Sequence, residues 1–310
     1  MSNSIKYTSQ EKNILSHCCL CPRNCGVNRL NGQLGYCNLN SHIAIASICN
    51  HKGEEPIISG TKGICNVFFS HCNLQCIYCQ NHQISCNSNN PNYVNIDDVV
   101  QKIKDVLRES NNVLGFVSST SQVPQMRAII RLLQEQGVKP IIVYNTNSYD
   151  QVDVLKQLED IVDVYLADMR YAFDDVAQRL SDVKDYPQRA TAALKEMYRQ
   201  KGSSLLTNAN DEIEKGLIIR VLCLPQMKQN TLHILDLIAD NLSPNVHISL
   251  LSQYYPPFVM PEACLNQCLS QKEYDIIVDY ALKLGFTKIQ TQELSSADNL
   301  QPDFNKNIPF

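Results

Sequence analysis

At 310 residues the chain exceeds the usual single-domain size but fits one α/β barrel with an appendage. Hydrophobic residues at 44% and charged residues at 19% exclude a disordered chain, and a net charge of −4 argues against a nucleic-acid partner. No apolar run reaches membrane-spanning length and the polar stretch Met1–Lys12 has no apolar signal core, so the expectation is a cytoplasmic protein without a membrane partner.

Eleven of the 14 cysteines lie between Cys18 and Cys86. A disulfide framework suits small secreted domains, whereas close-spaced thiols in a large α/β chain point to metal ligands in a reducing compartment. Residues 1–62 lack the strand–helix alternation that follows and read as a cysteine-rich N-terminal metal-binding cap. Within it Cys18, Cys21 and Cys25 stand in Cys-x2-Cys-x3-Cys spacing, with Cys37 after eleven further residues. Four such thiolates suit zinc or a second iron–sulfur cluster, and spacing does not choose between them. Free structural cysteines are the bland alternative.

Residues 63–310 predict an α/β fold, a partial (β/α)6 barrel. The first strand, Ile64–Ser70, runs directly into Cys72-x3-Cys76-x2-Cys79. Three thiolates within eight residues can bind three irons of a 4Fe–4S cube and leave the fourth for a non-protein ligand. Zinc would want a fourth ligand, and only Cys86 is at short range. Cys65, inside the strand, reads as a core residue and Cys86 as incidental. After the polar loop Asn87–Asn95, the stripe Ile96, Val99, Val100, Ile103, Val106 and Leu107 predicts a helix with Asn95 as its N-cap.

Further strands are predicted at Val113–Ser118, Pro140–Asn145, Val162–Asp168, Leu217–Leu222 and Val246–Leu251, each apolar on both faces as in a covered parallel sheet. Helices fall between them: one opened by Pro124 and closed by Gly137, then Gln151–Glu159, Pro187–Gln200 and Thr231–Leu242. Ser270 and Glu273 form a capping-box pair for a last helix stopped by Gly285. Ligands of such folds gather at the C-terminal strand ends. The second strand ends in Ser118-Ser119-Thr120, suited either to close approach of a ligand or to a capped turn. The third ends around Asn145, and the fourth in Asp168-Met169-Arg170, where Arg170 reads as a solvated arginine or a two-pronged carboxylate partner. Arg220 within an apolar strand must point into the barrel at an anion, a cofactor carboxylate or else Asp168 or a glutamate. Cys223 is expected to face the site, with packing its main role. Gln253 and Tyr254 are weaker candidates, and Cys264 and Cys268 read as structural.

The three-cysteine loop, with Tyr78 before its last cysteine, resembles the motif of the radical S-adenosylmethionine superfamily. The resemblance implies a 4Fe–4S cluster on Cys72, Cys76 and Cys79. It also implies S-adenosylmethionine cleaved by one electron to methionine and a 5′-deoxyadenosyl radical that abstracts a substrate hydrogen. A reductant such as flavodoxin or ferredoxin is then implied. Tyr78, Ser118, Ser119, Asn145, Asp168 and Arg220 would face the cofactor. The segments at Asn145 and Asp168–Arg170 look like the Asp-Thr and Asp-Leu-Lys segments of glycyl-radical activating enzymes. Here Asn145 replaces a carboxylate and Arg170 a lysine, which puts any monovalent cation in doubt. Cys-x-Leu-Cys-Pro-Arg-Asn-Cys-Gly from Cys18, Gly35-Tyr36-Cys37, His51-x-Gly-Glu-Glu-Pro56, Tyr198-Arg199-Gln200 and Ser252-Gln253-Tyr254 resemble the branch similar to pyruvate formate-lyase activating enzyme. His71 departs from it, where relatives usually carry glycine. The resemblance implies a radical enzyme with an unidentified substrate, a protein or peptide among the candidates. The rival reading is a non-catalytic iron–sulfur or zinc-binding electron-transfer module.

Overall fold

Alternate residues of the central strands divide cleanly between two faces, and that division builds the molecule. The computed structural model describes residues 5–209, 211–306 and 308–310. Its strands are β1 (Ile43–His51), β2 (Ile64–Phe69), β3 (Tyr93–Val94), β4 (Val113–Val117), β5 (Ile141–Thr146), β6 (Val164–Asp168), β7 (Leu206–Thr207), β8 (Ile213–Leu222), β9 (His247–Leu251) and β10 (Ile289–Thr291). They form one sheet in the order β10-β9-β8-β6-β5-β4-β2-β1-β3, with β7 beside β8. The run from β2 through β4, β5, β6, β8 and β9 to β10 is parallel throughout.

On one face Val67, Leu114, Phe116, Ile142, Tyr144, Tyr165, Ala167, Ile219 and Val221 join the large core beneath the helices. On the other, Ile64, Val113, Val143, Val164, Leu166 and Ile218 pack with Ile58 in a second apolar cluster. The period-2 side-chain alternation thus produces two cores from one set of strands. One step further along the inner face the residues turn polar, at Asn66, Asn145, Asp168 and Arg220. Gly115 makes room for that layer, since a Cβ there would stand 2.1 Å from Asn66 Oδ1.

The six strands expected from Ile64 onward are present, as are the helices, among them Ile96–Leu107 with the Asn95 side chain accepting from the Asp97 N–H. The Ser270 hydroxyl accepts from the Glu273 N–H at the start of Gln271–Lys283. The cysteine-rich N-terminal region is present, and part of it adds to the sheet. Strand β1 pairs antiparallel with β2, so the chain before Ile64 extends the same sheet. A bulge between Ile45 and Ser47 shifts its register and breaks the alternation by which a strand is read. No described helix is long and apolar enough to cross a membrane.

Candidate active site

Because the central strands are parallel, their C-terminal ends open onto a single cavity of about 460 Å³. Cys72, Cys76 and Cys79, on the loop after β2, line it together. Each sulfur accepts hydrogen bonds from groups scattered through the chain. Cys72 Sγ accepts from the Leu74 N–H at 3.4 Å and from Asn147 Nδ2 at 3.4 Å. Cys76 Sγ accepts from Ser181 Oγ at 2.9 Å, and Cys79 Sγ from Ser85 Oγ at 3.2 Å. The Ser181 hydroxyl belongs to a chain of hydroxyls running through Tyr171 to Tyr78. Burial pushes the Cys72 thiol up to about 12, so as a free group it stays protonated and needs a cationic centre to become a thiolate. Three soft donors, each with its own hydrogen-bond support, suit an iron–sulfur cube bound through three corners.

Two positions at the site have a backbone conformation that favours glycine. Ser118 lines the cavity at φ 59 and His71 precedes the first cysteine at φ 65, both in the left-handed region that favours glycine. His71 is held there by its ring, whose Nδ1 lies 2.8 Å from the Cys37 carbonyl oxygen. Ser119 is fully buried in the turn Ser119–Gln122 and is not among the residues lining the cavity. Tyr78 lines it, with its hydroxyl 2.7 Å from that of Tyr171.

Beyond the cysteines the floor is a charged network. Arg220 Nε donates to Asp168 Oδ1 at 2.8 Å, Nη2 to Asn145 Oδ1 at 2.6 Å and Nη1 to Glu54 Oε2 at 3.3 Å. Arg220 thus contacts two of the chain's own carboxylates. Arg170 is not the solvated strand-end residue that its position suggested. It pairs with Asp168 Oδ2 at 2.5 Å and brings Nη1 to 4.0 Å from Cys76 Sγ. The carboxylate missing at Asn145 is replaced in space by Glu54, whose Oε1 accepts from Asn66 Nδ2 at 2.9 Å and from Asn145 Nδ2 at 3.4 Å.

His51, the last residue of β1, and Glu54 and Glu55, from the loop that follows, all line the cavity. None was assigned a role from sequence, although the Gly-Glu-Glu-Pro segment was the visible sign. Burial, reinforced by Glu54 and opposed by Arg220, pushes Glu55 up to about 7. The folded chain therefore holds a proton that the unfolded chain releases between its ordinary pKa of 4.5 and about 7. This contribution to stability is complete below the lower value and is lost as pH rises through the upper one. Glu55→Gln should flatten the fall in urea midpoint across that window; an unchanged slope would show that Glu55 does not titrate there.

Cys223 does not face the cavity; it is fully buried in the main core and hydrogen-bonds the Val221 carbonyl. Gln253 lines the cavity, while Tyr254 is buried with its hydroxyl on the Leu265 carbonyl. Cys65 is a core residue and Cys86 bonds Ser88. Cys264 lies in the turn Ala263–Leu265 and Cys268 is exposed. Cys18, Cys21, Cys25 and Cys37 converge on a second, much smaller cavity.

The sequence model of the Radical SAM superfamily matches residues 66–209, a span that includes the three-cysteine loop and the ends of β4, β5 and β6. Residues 66–209 form a Radical SAM superfamily domain. With that domain come its cofactors, a 4Fe–4S cluster and S-adenosylmethionine, and an enzyme of the radical SAM type. An uncharacterized protein of Methanocaldococcus jannaschii is 29% identical over 286 residues, covering 90% of this chain and 78% of that protein. Among solved structures, Streptococcus suis SuiB bound to the precursor peptide SuiA superposes with a TM-score of 0.50 at 12% identity, over 74% of this chain and 49% of SuiB. HydG, a maturase of the [FeFe]-hydrogenase, superposes with a TM-score of 0.52 at 11% identity, over 76% of this chain and 53% of HydG. These two likenesses show a shared fold, and the chain spans about half the length of either protein.

Proposed function

We propose that this chain abstracts a hydrogen atom from a substrate admitted to the 460 Å³ cavity, with Cys72, Cys76 and Cys79 as the protein ligands of its cluster. The carrying observation is the count of thiols. Among the described residues lining a cavity large enough for a cofactor-sized ligand, three are cysteines and the remainder include no fourth. An electron-transfer centre would use a fourth thiolate and would have no need of adjoining space. When bound, the cluster and S-adenosylmethionine supply the reductive cleavage of the sulfonium that starts hydrogen abstraction.

The chain's own residues hold and shield. The donors on Cys72, Cys76 and Cys79 fix the orientation of the sulfurs and bias the reduction potential. The Arg220–Asp168–Arg170 triad fixes a rigid polar floor, leaving the strand-end groups Ser118, Asn147 and Gln253 to meet the ligand. Phe68, a buried lining residue, excludes water from its side of the cavity. The finer reading is activation of a protein or peptide partner, a backbone glycine being the candidate atom. It is supported by the segments shared with the activating-enzyme branch, from the Cys18 run to Ser252-Gln253-Tyr254, with flavodoxin or ferredoxin as the class of reductant.

The test is anaerobic reconstitution with iron and sulfide, reduction with dithionite in the presence of S-adenosylmethionine, and chromatography for 5′-deoxyadenosine. Product above a protein-free control is expected. None above that control from protein carrying a full cluster would overturn the reading.

A further inference from the structure

We propose that Cys18, Cys21, Cys25 and Cys37 form a second, four-thiolate centre that holds a single zinc ion and that Arg29 balances its charge. The inference stands apart from the radical reading, because none of these five residues lines the large cavity.

Convergence is the first observation. Four cysteines spread over twenty residues line one cavity of about 20 Å³, close to the volume of a single water or ion. As the thiols stand, that space matches a single ion. The backbone is shaped to bring the thiols together. Asn24 at φ 43 and Gly26 at φ 66 turn the chain back, so that the Gly26 N–H donates to the Cys18 carbonyl and the Cys18 N–H to that of Val27. The second arm then passes directly over Cys25. A side chain at Gly35 would stand 2.9 Å from Cys25 Sγ, and the Tyr36 N–H donates to that sulfur at 3.4 Å. N–H donors to sulfur favour the thiolate over the thiol. As they stand, the described residues close no three His, Cys, Asp or Glu side chains around one ion, so binding draws the thiols inward by side-chain rotation.

Arg29 is the independent observation. Its side chain is 1% exposed and lines the same cavity. Its nitrogens donate to the carbonyl oxygens of Asn40 and Ser121, and among the described residues none pairs with a carboxylate. A buried guanidinium with only neutral acceptors is costly. Four thiolates around a divalent cation carry a net charge of −2 and supply the missing anion. The centre would brace the cluster loop, since the Cys37 carbonyl meets the His71 ring and the Tyr36 carbonyl accepts from Asn87, which also bonds Cys72.

The test measures zinc and iron by mass spectrometry on the full chain carrying Cys72→Ala, Cys76→Ala and Cys79→Ala, so that the radical cluster contributes no iron. About one zinc per chain should survive dialysis, and Cys21→Ser with Cys25→Ser in the same background should lose it. Because that variant can misfold, cobalt(II) is also added to the metal-stripped background protein, where the intense visible bands of tetrahedral thiolate coordination are expected. In the same background Arg29→Gln should weaken zinc retention against a competing chelator by roughly 10–100-fold, and Arg29→Lys should recover part of the loss. Iron and sulfide in place of zinc, no bound metal, zinc retained without Cys21 and Cys25, or an octahedral cobalt spectrum would each overturn the proposal.

Discussion

Cys76→Ala should abolish the 4Fe–4S absorbance and the electron-spin signal of the reduced cluster, and cut 5′-deoxyadenosine formation to that of a protein-free control. Cys76 sits between the other two ligands in sequence, and its sulfur takes both the Ser181 hydroxyl and the approach of the Arg170 guanidinium. Removing it leaves two thiols at the cavity and deprives Arg170 of a neighbouring anion. The fold should survive, because Cys76 is only partly buried and the barrel's two cores do not include it as a buried member. Circular dichroism unchanged alongside lost cluster spectra is the expected pair of results. A full cluster signal in the variant would refute the ligand assignment.

Arg220→Met should be the most destabilising single substitution at the site, by about 3–5 kcal/mol. The guanidinium satisfies Asp168, Asn145 and Glu54 together, and Glu55 lies within its field. Methionine fills much of the volume but leaves the Glu54 carboxylate without a counter-charge, while Asp168 keeps Arg170. The urea midpoint should fall with little change in slope. Glu54→Gln with Arg220→Met should recover part of the loss, since that pair is removed rather than broken. A fall under about 1 kcal/mol would mean that water or rearrangement screens the network.

Where sequence and structure agree, the information was local. The helix Ile96–Leu107 announces itself by an apolar stripe and a capping asparagine, and the cluster loop by three thiols in eight residues. Where they part, the determining contact is distant. Ser181 reaches Cys76 from 105 residues away, and Glu54 reaches Arg220 from 166 residues away. Two adjacent glutamates between a glycine and a proline read as a solvated turn until a buried arginine is known to lie opposite. Strand β1 was hidden by its bulge, and β10 by having only three residues, none of them buried. Cys223 was placed by its position at a strand end, but side chains alternate, and its thiol belongs to the opposite face.

The pairing of Glu54 with Arg220 also sets an order of events on the ribosome. The loop carrying Glu54 emerges early and must wait for well over half of the chain before its counter-ion exists. Until then two acidic side chains destined for the interior stay in water, because β8, which carries Arg220, has yet to join β6. A nascent chain stalled short of Arg220 thus retains a solvated, unfinished interior, which favours recognition by chaperones over premature locking of a half-built barrel.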